Sequence, residues 1–187
     1  MRITGGALRG RVLKTVSGPG YRPATSKVRE AVFSMLHARG VAWEGARLLD
    51  LFAGSGSLGF EALSRGAAMV WFVEKDKAAA ACIRENAEAL GIAQERWKVL
   101  PRDVATVLGA GPGDAPFDVV CIDPPYGKHL LPKTLGGVVR HGWLAPEALI
   151  LAEIEAGLRY DPALADPSLT VVTDRAYGQT RIVIWIA

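Results

Sequence analysis

Arg47-Leu48-Leu49-Asp50-Leu51-Phe52-Ala53-Gly54-Ser55-Gly56-Ser57-Leu58-Gly59 is a short apolar run that breaks into a glycine loop. The run is too short for a helix and too apolar for a surface segment, so it predicts a strand buried on both faces. Gly54-x-Gly56-x-x-Gly59 then matches the loop through which such a strand turns into a helix at a nucleotide-binding switch point of an α/β sheet. Alone, this pattern suits a dinucleotide and an adenosyl cofactor equally.

Outward from this stretch, strands and helices alternate. Val28, Ala31, Val32, Met35 and Leu36 fall at helical spacing after Pro23, with Thr25 or Ser26 available as a cap and Gly40 near the end. Met69 to Val73 predicts a second strand ending at Glu74. Lys77 to Leu90 predicts a helix closed by Gly91. Trp97 to Leu100 and Phe117 to Ile122 predict strands three and four, and a helix is expected from about Leu131 to His141. Ala148 to Ile154, Leu169 to Thr173 and Arg181 to Ile186 complete the strands. The short connection through Tyr177-Gly178 predicts that the last two pair antiparallel. The fold class is therefore α/β, a doubly wound and mostly parallel sheet.

The chain of 187 residues is half hydrophobic and 22% charged, as expected of one core without a disulfide or metal staple. Cys82 and Cys121 lack paired spacing and predict buried reduced thiols. His37, His129 and His141 show no metal-ligand spacing, so no metal is expected. With no long apolar run and no secretory leader at Met1, the expected location is cytoplasmic, off the membrane. Charge is unevenly spread. Residues 1–29 hold Arg2, Arg9, Arg11, Lys14, Arg22, Lys27 and Arg29 and no acidic residue, which is +7 against a formal net charge of +3, leaving −4 for the rest. A basic segment on a mildly acidic body suits a nucleic-acid partner. Ile3 to Val16 alternates around Gly5-Gly6 and Gly10 like a β-hairpin that would display these cations. The expected organisation is a basic hairpin over residues 1–20 and a catalytic domain over 21–187.

Asp50 separates the two cofactor classes. A carboxylate directly before the loop repels a pyrophosphate and favours the ammonium and sulfonium of S-adenosylmethionine. Glu74, eighteen residues beyond Gly56 at the next strand end, is placed to accept from ribose hydroxyls. Asp103, after the third strand, could accept from an adenine amine or cap the following helix. The expected cofactor residues are Asp50, Phe52, Gly54, Ser55, Gly56, Glu74 and Asp103. Asp123-Pro124-Pro125-Tyr126 follows strand four onto the same sheet edge. An exocyclic amine, its lone pair delocalised into a ring, methylates only if acceptors draw its N–H groups. The Asp123 carboxylate and the Pro124 carbonyl supply two, the prolines fix the carbonyl's direction, and Tyr126 offers a stacking face. The target base must be unpaired or flipped out.

Taken together, Arg2 to Gly6, Gly10-Arg11, Arg22-Pro23, Thr25 with Val28 to Phe33, Leu49 to Gly56, Glu61 to Ala67, Phe72 to Glu74 and Asp123 to Tyr126 resemble, in order, the bacterial methyltransferases that modify a guanine N2 amine of 16S ribosomal RNA. The resemblance runs from Arg2 to the Tyr177-Gly178 turn. It implies a Rossmann-like, class I methyltransferase fold with seven strands, the last antiparallel. S-adenosylmethionine is then the donor and S-adenosylhomocysteine the product. It also implies that the hairpin contacts 16S rRNA of the small subunit; the small basic footprint favours the assembled particle as substrate, and since nothing demands a dimer a monomer is expected. A DNA adenine or cytosine amine methyltransferase would share the Asp-Pro-Pro-Tyr chemistry, but needs a target-recognition segment for which the chain has little room. An RNA-binding protein without catalysis would have no use for Asp50, Glu74 and Asp123 together. An NAD-dependent oxidoreductase lacks a second substrate domain here.

Overall fold

A computed structural model describes residues 1–16, 26–113 and 115–187. The elements are α1 (Ser26–Ala38), β1 (Arg47–Leu51), α2 (Ser57–Arg65), β2 (Met69–Val73), α3 (Lys77–Ala89), β3 (Trp97–Leu100), α4 (Val104–Ala110), β4 (Phe117–Ile122), α5 (Leu131–Arg140), β5 (Leu144–Glu155), β6 (Thr170–Tyr177) and β7 (Thr180–Ile186). They form a seven-stranded sheet in the order β3-β2-β1-β4-β5-β7-β6. β1 pairs in parallel with both β2 and β4, and β7 runs antiparallel between β5 and β6. The order reverses beside β1, which puts the glycine loop at the switch point where such sheets open a ligand crevice.

The apolar runs are continuous because both sheet faces are covered. Along β1, Leu48 packs into the cluster with Phe33 and Leu36 of α1, Phe60 and Leu63 of α2, and Ile83 of α3. Leu49 and Leu51 point the other way, into the cluster with Val107 of α4 and Leu135 and Val138 of α5. The strand period of two thus assigns Asp50 to the α1–α3 face, with Cys121 opposite it in register on β4. A Cβ on Gly59 would collide with the Phe72 ring, so glycine is what lets α2 sit close on β2.

Two strands are longer than expected. β5 begins at Leu144, because Pro146-Glu147 is absorbed as an irregularity, Glu147 taking φ +58 while the pairing register shifts between Phe117 and Val119. β6 extends to Tyr177 through polar residues that an edge strand tolerates, and Asp174 is held across the ladder by Arg181 at 2.6 and 2.7 Å.

Among the described residues the N-terminal hairpin pairs over Met1 to Leu13, around the Arg2–Val12 bridge. Ile3 and Leu13 are buried in the α1–α3 cluster. Beyond it, Lys14 bonds both ways with the Asn86 side chain of α3, and the Val16 N–H reaches Ser55 Oγ of the glycine loop at 3.0 Å. The expected boundary at 20/21, Arg22 and the cap residue Thr25 lie outside the described residues. Among the described residues no helix is long and apolar enough to cross a membrane. Both cysteines are free and buried.

Candidate active site

The turn out of β1 is held by its own backbone. Phe52 adopts φ +62, Gly54 +55 and Gly56 +81, a run of left-handed residues that only glycine adopts without strain at the second and third positions. The Ala53 N–H bonds to Val73 O at 3.0 Å, and the Gly54 N–H bonds to Glu74 Oε2 at 2.9 Å. Glu74 Oε1 accepts from the Asp76 N–H at 2.8 Å. These two bonds fix the carboxylate at the rim, and each oxygen retains a lone pair for a ribose hydroxyl. A Cβ on Gly56 would meet the Phe60 and Phe72 rings at about 3 Å, so the loop backbone is pressed onto the core and faces the crevice bare. Ser55 is partly committed, since its hydroxyl accepts from Val16.

Asp50 lies beneath this loop, 2% exposed, with Oδ2 accepting from the Gly59 N–H at 3.1 Å. Burial pushes its carboxyl up to about 7, the Gly59 bond opposes this, and the Glu74 charge adds to it. Asp103 caps α4 through the Ala105 N–H at 2.9 Å. It also borders, with Phe52, Val104, Leu130 and Thr134, a cleft of about 290 Å³ between α4 and α5. Capping and cleft-lining therefore coexist in Asp103.

Asp123 follows β4 at the same edge. Burial, the neighbouring Glu153 and Asp50 together raise its carboxyl well above the usual carboxylate range. Among the described residues, no hydrogen-bond donor is directed at that carboxyl. Pro124 is buried, and Tyr126 keeps 39% of its surface. The tetrapeptide is braced from two strands: Tyr126 Oη pairs with Thr180 Oγ1 at 3.2 Å, and the Gly127 N–H donates to Glu155 Oε1 at 2.5 Å. Asp50 is close enough to feel the charges of both Glu74 and Asp123, so the three carboxyls gather at one end of the sheet, and the tyrosine ring is partly accessible.

Glu153, Glu155 and Thr180 are members of the site that sequence reasoning does not find. Glu153 is 6% exposed, on the same face of β5 as Leu149 and Leu151. A lone acid inside the otherwise apolar run Ala148 to Ile154 is the available signal, because a charge is kept in such a place only with a purpose or a partner. Thr180 gives no comparable signal.

The basic set divides. Arg2, Arg9, Arg11, Lys14 and Lys27 are exposed. Arg2 bonds Gly10 O, Arg11 bonds Ala89 O at the end of α3, and Lys14 pairs with Glu85 at 3.0 Å, all at the surface. Arg29 corrects the expectation. It is 1% exposed, bonded to Arg2 O at 2.7 Å and facing Glu61, so it anchors the hairpin from inside and is not available to RNA. Helical spacing is the reason: Arg29 falls between Val28 and Val32 on the inward side of α1.

Known proteins resemble this chain over most of its length. The family described as "Conserved hypothetical protein 95" matches residues 1–186. The chain is similar to Ribosomal RNA small subunit methyltransferase D of Haemophilus influenzae, 34% identical over 178 residues, covering 95% of this chain and 89% of that protein. The protein of the same name from Escherichia coli K12 is 41% identical over 165 residues, 87% of this chain and 80% of that one. Among solved structures, yhhF of Escherichia coli superposes with a TM-score of 0.83 at 35% identity, over 100% of this chain and 97% of that one. SMU.776, solved in complex with SAH, shares the fold at 16% identity, with a TM-score of 0.69 over 96% of this chain and 52% of that one.

Proposed function

This chain belongs to the conserved hypothetical protein 95 family and to the family of the small-subunit ribosomal RNA methyltransferases D, and on that footing we propose that it methylates the N2 amine of a guanine in 16S rRNA, using S-adenosylmethionine. The observation that carries the reading is the Asp123 carboxyl. It is half-buried at the end of β4, flanked by Glu153 and Asp50, and given no donor by the described residues. A desolvated acceptor without a donor is complementary to an N–H group brought by a ligand.

The donor fits the other half of the crevice. The bare glycine backbone leaves room for close approach, Glu74 holds unfilled lone pairs at the β2 end, and Asp50 supplies negative charge beneath the loop. When bound, the cofactor supplies a methyl group made electrophilic by a sulfonium. Asp123 and the Pro124 carbonyl accept the two N–H groups of the amine and draw it out of conjugation with the ring. Positive charge appearing on nitrogen is then stabilised where it forms. Tyr126 stacks on the base and orients it, and the Thr180 and Glu155 bonds keep that loop in place, so that positioning supplies much of the rate. The exposed cations Arg2, Arg9, Arg11, Lys14 and Lys27 hold the RNA backbone. So small a footprint suits a folded particle, the assembled small subunit, better than naked RNA.

The test is transfer of labelled methyl groups from S-adenosylmethionine to small subunits from cells lacking this gene, followed by nucleoside analysis. N2-methylguanosine at one site is the expected product. Label on adenine or cytosine, or none, would overturn the reading.

A further inference from the structure

Methylation of an amine leaves one proton too many on nitrogen, and the crevice must dispose of it. β4 and β5 run parallel with Cys121 beside Leu151 and Ile122 beside Ala152. One step further that register sets Asp123 beside Glu153 on the same sheet face. Glu153 lies opposite Ile182 of β7, and its carboxyl faces the Thr180 hydroxyl of the same strand. Thr180 Oγ1 in turn pairs at 3.2 Å with Tyr126 Oη, on a residue 39% exposed. Register and the Thr180–Tyr126 bond thus align carboxyl, carboxyl, hydroxyl and phenol from the acceptor site to a partly exposed ring, through an otherwise apolar face.

We propose that Glu153 is a positioning residue that shares one proton with Asp123 and, through Thr180 and Tyr126, forms the exit for the proton shed by the methylated amine. The inference rests on the methyltransferase reading above. At rest the pair shares one proton, and an amine whose N–H groups donate to Asp123 draws that proton to Glu153, leaving Asp123 as the acceptor. Once the methyl has passed to nitrogen, the S–CH3 electron pair staying on sulfur, an N–H bond breaks, its electrons stay on nitrogen, and the proton joins Asp123. Glu153 releases its own proton to Thr180, whose hydroxyl proton passes to Tyr126 and whose phenol proton passes to water. Asp123 then returns its proton to Glu153. One proton enters and one leaves.

The groups facing the pair are Asp50 from β1, Cys121 from β4, Tyr126 from the loop and Thr180 from β7, with Glu155 farther along β5 acting on Tyr126. Among the described residues no cation faces the pair. Burial and the mutual repulsion of Asp123 and Glu153 both favour retaining a shared proton at neutral pH, as for other adjacent carboxyls.

Glu153→Gln keeps size and hydrogen bonding but cannot hold the proton. The expected result is a fall in kcat of about 10- to 100-fold, with KM for the small subunit and cofactor affinity unchanged, consistent with loss of a proton-transfer partner. Glu153→Gln also abolishes the alkaline step at which the pair gives up its shared proton, while the acid limb, set by Asp123 beside a neutral neighbour in both proteins, stays in place. Thr180→Val, which retains the pair but interrupts the exit, lowers kcat and keeps the alkaline step. In the cofactor-free protein, the infrared difference between wild type and Glu153→Gln at pH 7.5 should show one protonated carboxyl in the wild type, Asp50 cancelling. Wild-type kcat and pH profile in both variants, with no infrared difference, would overturn the proposal. A wild-type protein that methylates nothing would instead sink the functional reading.

Discussion

Two buried carboxylate sites face the α1–α3 side of the sheet, and they are built in opposite ways. Glu61, fully buried on α2, is saturated: Thr4 Oγ1, the Gly5 N–H and Arg65 donate to Oε1 at 2.7, 2.7 and 2.9 Å. The Thr4 N–H donates to Oε2 at 2.9 Å, and Arg29 stands 3.9 Å from that oxygen. Asp123 and Glu153 have each other, a hydroxyl and, among the described residues, no facing cation. The contrast teaches how to read a buried charge. Where every lone pair is filled by the protein, the residue holds the fold together, and where acceptors are left open, it awaits a ligand.

The largest expected effect lies on the saturated side. Glu61→Ala removes the acid that faces Arg29 and leaves two N–H groups of the hairpin unpaired, and should cost about 3–5 kcal/mol of unfolding free energy. Urea unfolding measures it. A loss below about 1 kcal/mol would mean that the hub is not the clasp joining hairpin to body. Glu61→Gln, which keeps an acceptor, should fall between.

On the open side, Asp123→Ala should leave folding nearly intact and reduce methyl transfer by about 10²- to 10³-fold, the usual cost of deleting one preorganised hydrogen-bonding group. Cofactor affinity by calorimetry should change less than severalfold. Lost cofactor binding with unchanged turnover at saturating cofactor would erase the difference between the two sites.

Asp50 is intermediate between them, having one lone pair filled by Gly59 and a carboxyl that titrates near pH 7. The protonation sign follows directly. A cationic ligand above Asp50 stabilises its ionised form, so binding releases a proton and affinity weakens as pH falls below about 7, by up to about tenfold per unit. Calorimetry at pH 6 and 8 checks this, and Asp50→Asn should flatten the dependence.

What the sequence makes legible follows the same division. β1, the glycine loop and β2 are readable because short-range patterning specifies them, the apolar run, the glycines and Glu74 lying within one βαβ unit. Asp123 to Tyr126 is readable because proline and tyrosine after a strand are chemically conspicuous. Glu153 and Thr180 are not, since their meaning depends on β5 and β7 being neighbours in the sheet while β6 and its flanking turns lie between them in the chain. Arg29 is misassigned by charge counting, which ignores the way a helix faces. Its inward position is visible only once the hairpin and α2 are packed around it.

The smallest effect belongs to the surface cations, where neither kind of buried site is involved. Arg9 and Arg11 are exposed, so solvent screens them, and Arg11 gives up only one surface bond to Ala89 O when replaced. Reversing both to Glu should therefore leave stability and cofactor affinity nearly unchanged. It should weaken small-subunit binding severalfold and flatten the logarithmic salt dependence by about 0.7–0.9 for each phosphate the hairpin no longer neutralises. If the affinity falls but the salt slope stays as it was, the arginines act by shaping the hairpin. That would place the hairpin's function, like its attachment, in the saturated network around Glu61, and leave the contact with RNA to Arg2, Lys14 and Lys27.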